Sequence, residues 1–302
     1  MRVLFAAGEE RWLRWKPALR AALPEAELLR QGDPETIDII ITAPGGEVQD
    51  FRPYRNLRLV QSLWAGVEYI VGNDSLTQPL ARLVDPGQSQ GMREYCAGWA
   101  LRLHLGMESY RQDGVWRNDL FLPLASGRRI TVLGAGALGG TVAEALTGLG
   151  FDIATWSASG RGIGTIPAYG EADLPAALAR AEIAILILPN TPGTRDILNA
   201  RTLSLLPRGA AIINPGRGTL IEDEALLAAL DQGLIGHAVL DVFRTEPLPQ
   251  AHPYWAHPRV TVTPHCASAT RPSSAAPMVA ENLRRVMRGD APLFLVDRNR
   301  GY

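Results

Sequence analysis

Three polar residues in this sequence could together handle a proton and a carboxylate: Arg217, Glu246 and His265. Each comes just after an apolar run that reads as a strand. Arg217 follows Ala210-Ala-Ile-Ile-Asn214, Glu246 follows residues 236–243, and His265 follows Val260-Thr-Val-Thr263. A carboxylate that pairs with an imidazole holds its tautomer and raises its pKa, so the ring can carry a proton near neutral pH. A guanidinium can polarise a carbonyl and bind a carboxylate. The three types together describe proton-coupled hydride transfer, in which a nicotinamide hydride reaches C2 of a 2-oxo acid while His265 protonates its oxygen. Singly, each has an ordinary reading: a loop acid before Pro247, a turn charge in Pro-Gly-Arg-Gly, a buried histidine. Spacing alone does not show that they meet.

Such chemistry needs a nucleotide site, and residues 128–140 supply the pattern for one. Ile130 to Leu133 is a short β-branched and apolar run, as a buried parallel strand requires. Gly134, Gly136 and Gly139 then fall in G-x-G-x-x-G spacing. Gly134 would permit a sharp turn, Gly136 would leave room for a pyrophosphate, and Gly139 would let the helix pack close to the strand. Residues 141–149 carry apolar positions at helical spacing, and a second strand follows at 151–156. The free N–H groups and positive dipole end of that helix suit an anionic phosphate. Strand, turn, helix and strand together make the glycine spacing a dinucleotide fingerprint rather than a chance turn.

The rest of the chain alternates strand and helix, which predicts an α/β fold. Strands are expected at 2–7, 38–42, 57–63, 182–188, 210–214, 236–243 and 260–263. Helices are expected at 12–22, 91–110, 174–180, 222–232 and 273–288, the first beginning nearer Lys16 because Pro17 interrupts it. Residues 113–126 read as a loop. With the fingerprint near mid-chain, a dinucleotide domain inserted between two pieces of another domain is expected. At 302 residues the chain has room for two domains. Its net charge of −1 argues against a nucleic-acid or anionic-membrane partner. No apolar run reaches transmembrane length, and Glu9, Glu10 and Arg11 break up the N-terminal apolar stretch, which is read as a first strand rather than a signal. Cys96 and Cys266 cannot build a disulfide framework, so a cytoplasmic setting is expected. Cys266 is read as a small buried hydrophobe. No His, Cys and carboxylate cluster has metal-ligand spacing.

Several segments in order resemble the D-isomer-specific 2-hydroxyacid dehydrogenase family, in particular its glyoxylate/hydroxypyruvate reductase A branch. They are Leu133-Gly-Ala-Gly-Ala-Leu-Gly139, Leu188-Pro-Asn-Thr-Pro192, Asn214-Pro-Gly-Arg-Gly218, Leu240-Asp-Val-Phe-Arg-Thr-Glu-Pro-Leu-Pro249 and Thr263-Pro-His-Cys-Ala267, with Met92-Arg-Glu-Tyr95, Ala269-Thr-Arg-Pro272 and Val296-Asp-Arg-Asn-Arg-Gly-Tyr302 as further marks of the branch. The resemblance implies two Rossmann-like domains with parallel sheets, the cofactor domain at 93–272 inserted into a substrate domain at 1–92 and 273–302. It implies His265 as general acid/base, Glu246 as its partner and Arg217 on the substrate's carboxylate or carbonyl. It implies backbone N–H groups around Ala65, Gly66 and Val67 on the carboxylate, Trp64 as a pocket wall, Arg271 as an extra anion contact and Asp241 on the nicotinamide carboxamide. Gly134, Gly136, Ala137, Leu138, Gly139, Leu188, Pro189, Asn190 and Pro215 would line the cofactor. The family's habit is a homodimer formed through the cofactor domains. The activity implied is NAD(P)H-dependent reduction of small 2-oxo acids such as glyoxylate and hydroxypyruvate. The alternatives are a relative acting on a bulkier 2-oxo acid and a nucleotide-sensing interaction protein on the same fold, and the complete set of Arg217, Glu246 and His265 argues against the latter.

Which nicotinamide is used depends on the residues after the second strand. An acid there would bind the ribose 2′-OH of NAD and repel a 2′-phosphate. This chain has Ser157 after Trp156, no acid until Glu171, and Arg161 close behind, which favours NADP(H), with NAD(H) as the alternative. The branch usually carries more than one basic residue here. This chain has Ala158, Ser159 and Gly160 before Arg161, a thinner clamp.

Overall fold

The structure, a computed structural model, describes residues 1–110, 114–116, 118 and 121–298. The chain divides into two compact units: Met1–Gln88 with the segment from Thr270 onward, and Ser89–Ala269.

The first unit opens with β1 (Arg2–Ala6), α1 (Glu9–Ala22), β2 (Glu27–Leu29), β3 (Ile39–Thr42), β4 (Leu59–Ser62) and β5 (Leu80–Ala81). Its strands pair in parallel in the order β2-β1-β3-β4-β5. The run Ile39-Ile40-Ile41 is fully buried, as a strand covered on both faces demands. Helix α1 starts at Glu9 and carries Pro17 inside it, rather than starting near Lys16. Buried Trp12, Trp15 and Leu19 lie on both sides of the proline on one helical face. Burying each such side chain is worth roughly 1.5–3 kcal/mol. Two of them N-terminal to Pro17 therefore offset the hydrogen bond that it forfeits.

Helix α2 (Pro86–His104) leads into the second unit. It begins five residues before the expected 91 and ends six before 110. The Asp85 carboxylate accepts from the Gly87 N–H at 3.1 Å, and Pro86 suits a first helical turn. Gly106, at φ 58°, is past the end. The loop expected at 113–126 falls partly outside the described residues.

The second unit continues with β6 (Arg129–Leu133), α3 (Ala137–Gly148), β7 (Asp152–Trp156), β8 (Ala168–Tyr169), α4 (Leu174–Ala179), β9 (Ile183–Leu186), α5 (Ala200–Leu203), β10 (Ala210–Asn214), α6 (Asp223–Asp231), β11 (Ile235–Leu240) and β12 (Val260–Val262). All seven strands are parallel, in the order β12-β11-β10-β9-β6-β7-β8. The direction of winding reverses between β6 and β9, and ligands of such sheets bind beyond the carboxyl ends of the strands at that point. Strands β9 and β11 end before the expected 188 and 243, because the chain leaves the sheet there and enters a loop. The short elements β2, β5, β8 and α5 were not anticipated. Two to four residues carry no period of their own, and their neighbours decide their state.

The chain closes with α7 (Pro272–Met287) in the first unit. Ala275, Ala276, Val279, Ala280 and Leu283 of α7 share a core with Trp12, Trp15 and Leu19 of α1. None of the described helices is long and apolar enough to cross a membrane.

Candidate functional site

The glycine loop closes tightly after β6. A Cβ on Gly139 would lie 1.7 Å from the Gly134 carbonyl oxygen, and one on Gly134, at φ 119°, would lie 2.2 Å from that of Ile187. Only glycine fits either place. A Cβ on Gly136 would meet nothing within 4 Å. The N–H groups of Ala137 and Leu138, at the start of α3, have no acceptor among the described residues, as the first turn of a helix leaves them. Leu188 lies against the turn, and the Pro189 carbonyl is tied by the Thr194 hydroxyl at 2.6 Å, which fixes the loop carrying Asn190.

Beyond β7, Ser157 to Gly160 form a turn closed by the Gly160 N–H on the Ser157 carbonyl at 3.0 Å. The Ser157 and Ser159 hydroxyls are 3.4 Å apart, and the Arg161 N–H reaches the Ser159 hydroxyl at 3.4 Å. The Arg161 guanidinium has no partner among the described residues and is exposed.

Two of the three residues singled out for proton chemistry, His265 and Glu246, meet in the second unit, and the charge of Arg217 bears on Glu246. His265 Nδ1 lies 2.7 Å from Glu246 Oε2, and both side chains keep over a third of their surface open to solvent. The other oxygen of Glu246 accepts from the Phe243 N–H at 2.9 Å, which points the carboxylate at the ring. Partial burial pushes the Glu246 carboxyl up. The hydrogen bonds from His265 and Phe243, with the charges of His265 and Arg217, outweigh this and hold it below the ordinary range. Arg217 sits on a turn made by Asn214 and Pro215. The buried Asn214 amide accepts from the Gly216 N–H at 3.1 Å and donates to the Arg217 carbonyl at 2.9 Å. Arg217 Nη1 donates to the Gly216 carbonyl at 2.7 Å. Sequence reasoning passed over Asn214, although an Asn just before Pro-Gly is a turn former.

Asp241 is fully buried. Its Oδ1 accepts from the Thr263 hydroxyl at 2.5 Å and the Cys266 N–H at 2.9 Å, and its Oδ2 accepts from the Ala267 N–H at 2.9 Å. Its carbonyl accepts from the His265 N–H at 2.8 Å. These bonds hold His265 at φ 50°, a left-handed conformation that costs a residue with a side chain roughly 1–3 kcal/mol. Cys266 corrects the expectation of a small buried hydrophobe. It is exposed, and its thiol donates to Asp241 Oδ1 at 3.5 Å, because the left-handed turn at His265 carries the next side chain off the apolar side of the sheet edge. Burial around the sulfur and the Asp241 charge push the thiol up.

In the first unit, the turn after β4 holds Trp64, Ala65 and Gly66. The Ser62 hydroxyl fixes it, accepting from the Trp64 N–H and donating to the Trp64 carbonyl, each at 3.0 Å. Tyr69 donates to Ser62 Oγ at 3.1 Å. The N–H groups of Ala65, Gly66 and Val67 have no acceptor among the described residues.

This arrangement has close counterparts. A model of the NAD-binding domain of D-isomer specific 2-hydroxyacid dehydrogenases matches residues 98–267. The glyoxylate/hydroxypyruvate reductase A of Serratia proteamaculans (strain 568) is 38% identical over 95% of this chain and 96% of its own. That of Yersinia enterocolitica is 37% identical over 96% of each. Among solved structures, a D-isomer specific 2-hydroxyacid dehydrogenase of Xanthobacter autotrophicus Py2, in complex with NADPH and MES, has a TM-score of 0.93 at 38% identity, covering 100% of this chain and 99% of that one. The NADPH-dependent glyoxylate/hydroxypyruvate reductase of Sinorhizobium meliloti, in complex with NADP and sulfate, gives 0.89 at 31% identity over 100% and 99%. By the match across its dinucleotide unit and the identity along nearly its whole length, this chain belongs to the D-isomer specific 2-hydroxyacid dehydrogenase family.

Proposed function

We propose that this oxidoreductase reduces small 2-oxo acids, glyoxylate and hydroxypyruvate foremost, to their 2-hydroxy acids with NADPH, His265 serving as general acid. The observation that carries this reading is the 2.7 Å pair of His265 Nδ1 and Glu246 Oε2, with the charge of Arg217 reaching the same carboxylate. The names of the relatives support the substrate class, and the bound NADPH and NADP of the solved neighbours support the cofactor.

The residues present fit a dinucleotide. Gly134 and Gly139 keep the cradle clear, Gly136 borders open space, and the N–H groups of Ala137 and Leu138 face no acceptor among the described residues. Leu188, Pro189, Asn190 and Pro215 would form the remaining wall, and Asp241 would meet the carboxamide beside its work on the 263–267 segment. Ser157 and Arg161 would take the 2′-phosphate, since no acid stands at the end of β7. When bound, the nicotinamide supplies a hydride to C2 of the oxo acid.

The chain's own residues do the rest. Glu246, ionised, accepts a hydrogen bond from the Nδ1–H of His265, which keeps its proton and fixes the tautomer, leaving Nε2 to carry the mobile proton. That proton goes to the carbonyl oxygen as negative charge develops there, leaving a neutral imidazole. Arg217 binds the substrate's carboxylate or carbonyl and orients C2. The N–H groups of Ala65, Gly66 and Val67 take the carboxylate, Trp64 walls the pocket, and Arg271 adds an anion contact. In this reading the first unit is the substrate domain and the second the cofactor domain.

The protein would act as a homodimer. Tyr110, Val115, Trp116, Phe121 and Leu124 of the second unit are exposed, Trp116 and Phe121 by nine-tenths, an apolar stretch that a second copy would cover. Sedimentation at micromolar concentration tests this, with a monomer as the contrary result. Cys96 and Cys266, both free, suit a cytoplasmic setting.

The deciding experiment is steady-state oxidation of NADPH and NADH with glyoxylate, hydroxypyruvate, pyruvate and phenylpyruvate. Fast NADPH turnover on the first two is expected. Turnover confined to phenylpyruvate would assign a bulkier substrate. Nucleotide binding without turnover on any acid would overturn the enzyme reading in favour of a sensor.

A further inference from the structure

The Met92-Arg-Glu-Tyr95 motif lies on α2, away from the loops described so far, yet its tyrosine ends on the segment that carries His265. The Tyr95 hydroxyl is 2.7 Å from Thr263 Oγ1. Thr263 Oγ1 has one hydrogen, and it goes to Asp241 Oδ1 at 2.5 Å. The threonine can then only accept from the phenol, so the direction of the chain is set: Tyr95 donates to Thr263, which donates to Asp241. Burial pushes the Tyr95 phenol well above its ordinary value, so it remains a donor throughout the working range.

The far end of this chain is the backbone around His265. The N–H groups of residues 265, 266 and 267 all reach Asp241, the first its carbonyl, shared with that of Thr263 at 3.1 Å, and the other two its carboxylate. If the Asp241 side chain turned, it would release Cys266 and Ala267 together, and His265 could relax from φ 50°. Its ring would then leave Glu246. The Thr263 hydroxyl holds the Asp241 rotamer, and Tyr95 holds that hydroxyl. The titratable groups about this corner are Tyr95, Cys96, Asp241, Cys266, Glu246 and Arg217, in addition to His265 itself.

We propose that Tyr95 and Thr263 are positioning residues for proton transfer, acting through Asp241 to keep the His265 ring on Glu246. The proposal rests on the reading of His265 as the general acid. In Tyr95→Phe and Thr263→Val, kcat for the 2-oxo acid is expected to fall about tenfold, within the roughly 10²-fold that a misplacement of 1 Å can cost. The KM for NADPH should change less than kcat, since the glycine cradle is untouched and only the Asp241 contact with the carboxamide would follow the rotamer. Thr263→Ser, which keeps the hydroxyl, should recover most of the loss. The double variant Tyr95→Phe/Thr263→Val should be no worse than Thr263→Val alone, because both break one chain.

A second readout needs no turnover. The Nδ1–H signal of His265 is followed by NMR in the cofactor-free protein, assigned by its loss in His265→Gln. Loosened pairing with Glu246 should shift or broaden that signal in Tyr95→Phe and Thr263→Val but not in Thr263→Ser. An unchanged signal and unchanged kcat, with only a lower Tm, would overturn the proposal and leave the two residues as packing. If the wild type turned over no 2-oxo acid, the functional reading would fail, while the NMR signal would still decide whether this chain governs the His265–Glu246 pair.

Discussion

Two polar loops of the second unit leave the same edge of one sheet and are built in opposite ways. In the 263–267 segment, the N–H groups of residues 265, 266 and 267 all reach Asp241, a residue with no solvent exposure. In the 157–162 loop, the side-chain contacts are at 3.4 Å, the Arg161 guanidinium projects into solvent, and one backbone hydrogen bond closes the turn. The first loop spends conformational strain to hold one imidazole at one angle. The second holds a charge near a place without fixing it. A proton donor must meet its acceptor within hydrogen-bond reach, whereas a cation recognising a phosphate acts over a longer range and tolerates disorder. Under the proposed function, the reaction is rigidly specified in this protein and the choice of cofactor only loosely.

Substitutions can break or sharpen that contrast. The largest effect is expected at the rigid loop: His265→Gln should lower kcat by roughly 10²–10⁴-fold with NADPH binding little changed, as single-turnover kinetics and a nucleotide titration would report. A near-normal kcat would remove His265 from the mechanism. Glu246→Gln should cost less, about 10–10²-fold in kcat, because the ring loses its anionic partner but keeps a hydrogen-bonding one. At the loose loop, Arg161→Ala should raise the KM for NADPH by about tenfold, the loss of one charge-assisted contact, and leave that for NADH unchanged. An equal rise for both would place Arg161 elsewhere on the nucleotide.

A smaller effect is expected with pH. The Glu246 carboxyl is held below its ordinary range, so its contribution to stability is full above the unfolded-chain value of about 4.3 and is lost as pH falls through the folded value. The Tm difference between wild type and Glu246→Gln should therefore shrink as pH is lowered from 6 toward 3, and only modestly, since the pair is over a third exposed. A difference that grew on acidification would contradict the sign. Last, Ser159→Ala should alter the NADPH KM by less than about twofold, since its contacts are long. A large change would show the loop to be more ordered than its hydrogen bonds indicate.

Much of this was legible in the residues. The alternation of buried apolar runs with helical periods gave the α/β class, because strands covered on both faces read as continuous Val, Ile and Leu. The glycine spacing after Leu133 named its own geometry, because a Cβ at Gly134 or Gly139 would collide with backbone. Helix α1 starts at Glu9 rather than near Lys16 because tertiary packing buries Trp12 and Trp15 ahead of Pro17, which no local rule about proline registers. Cys266 is exposed rather than buried, and exposure there goes with the left-handed turn at His265, which no local pattern announces.

By itself, the sequence determined which elements form, where the glycines must turn and which side chains can carry a proton or a charge, since these follow from steric and chemical properties of single residues and their near neighbours. Only the tertiary structure decided that His265 meets Glu246 across 19 residues, that Asp241 holds the backbone around His265, and that Tyr95 reaches Thr263 across 168. Contacts between distant residues depend on how parallel strands stack their carboxyl ends along one edge, and strand order is set by the whole sheet rather than by any segment of it.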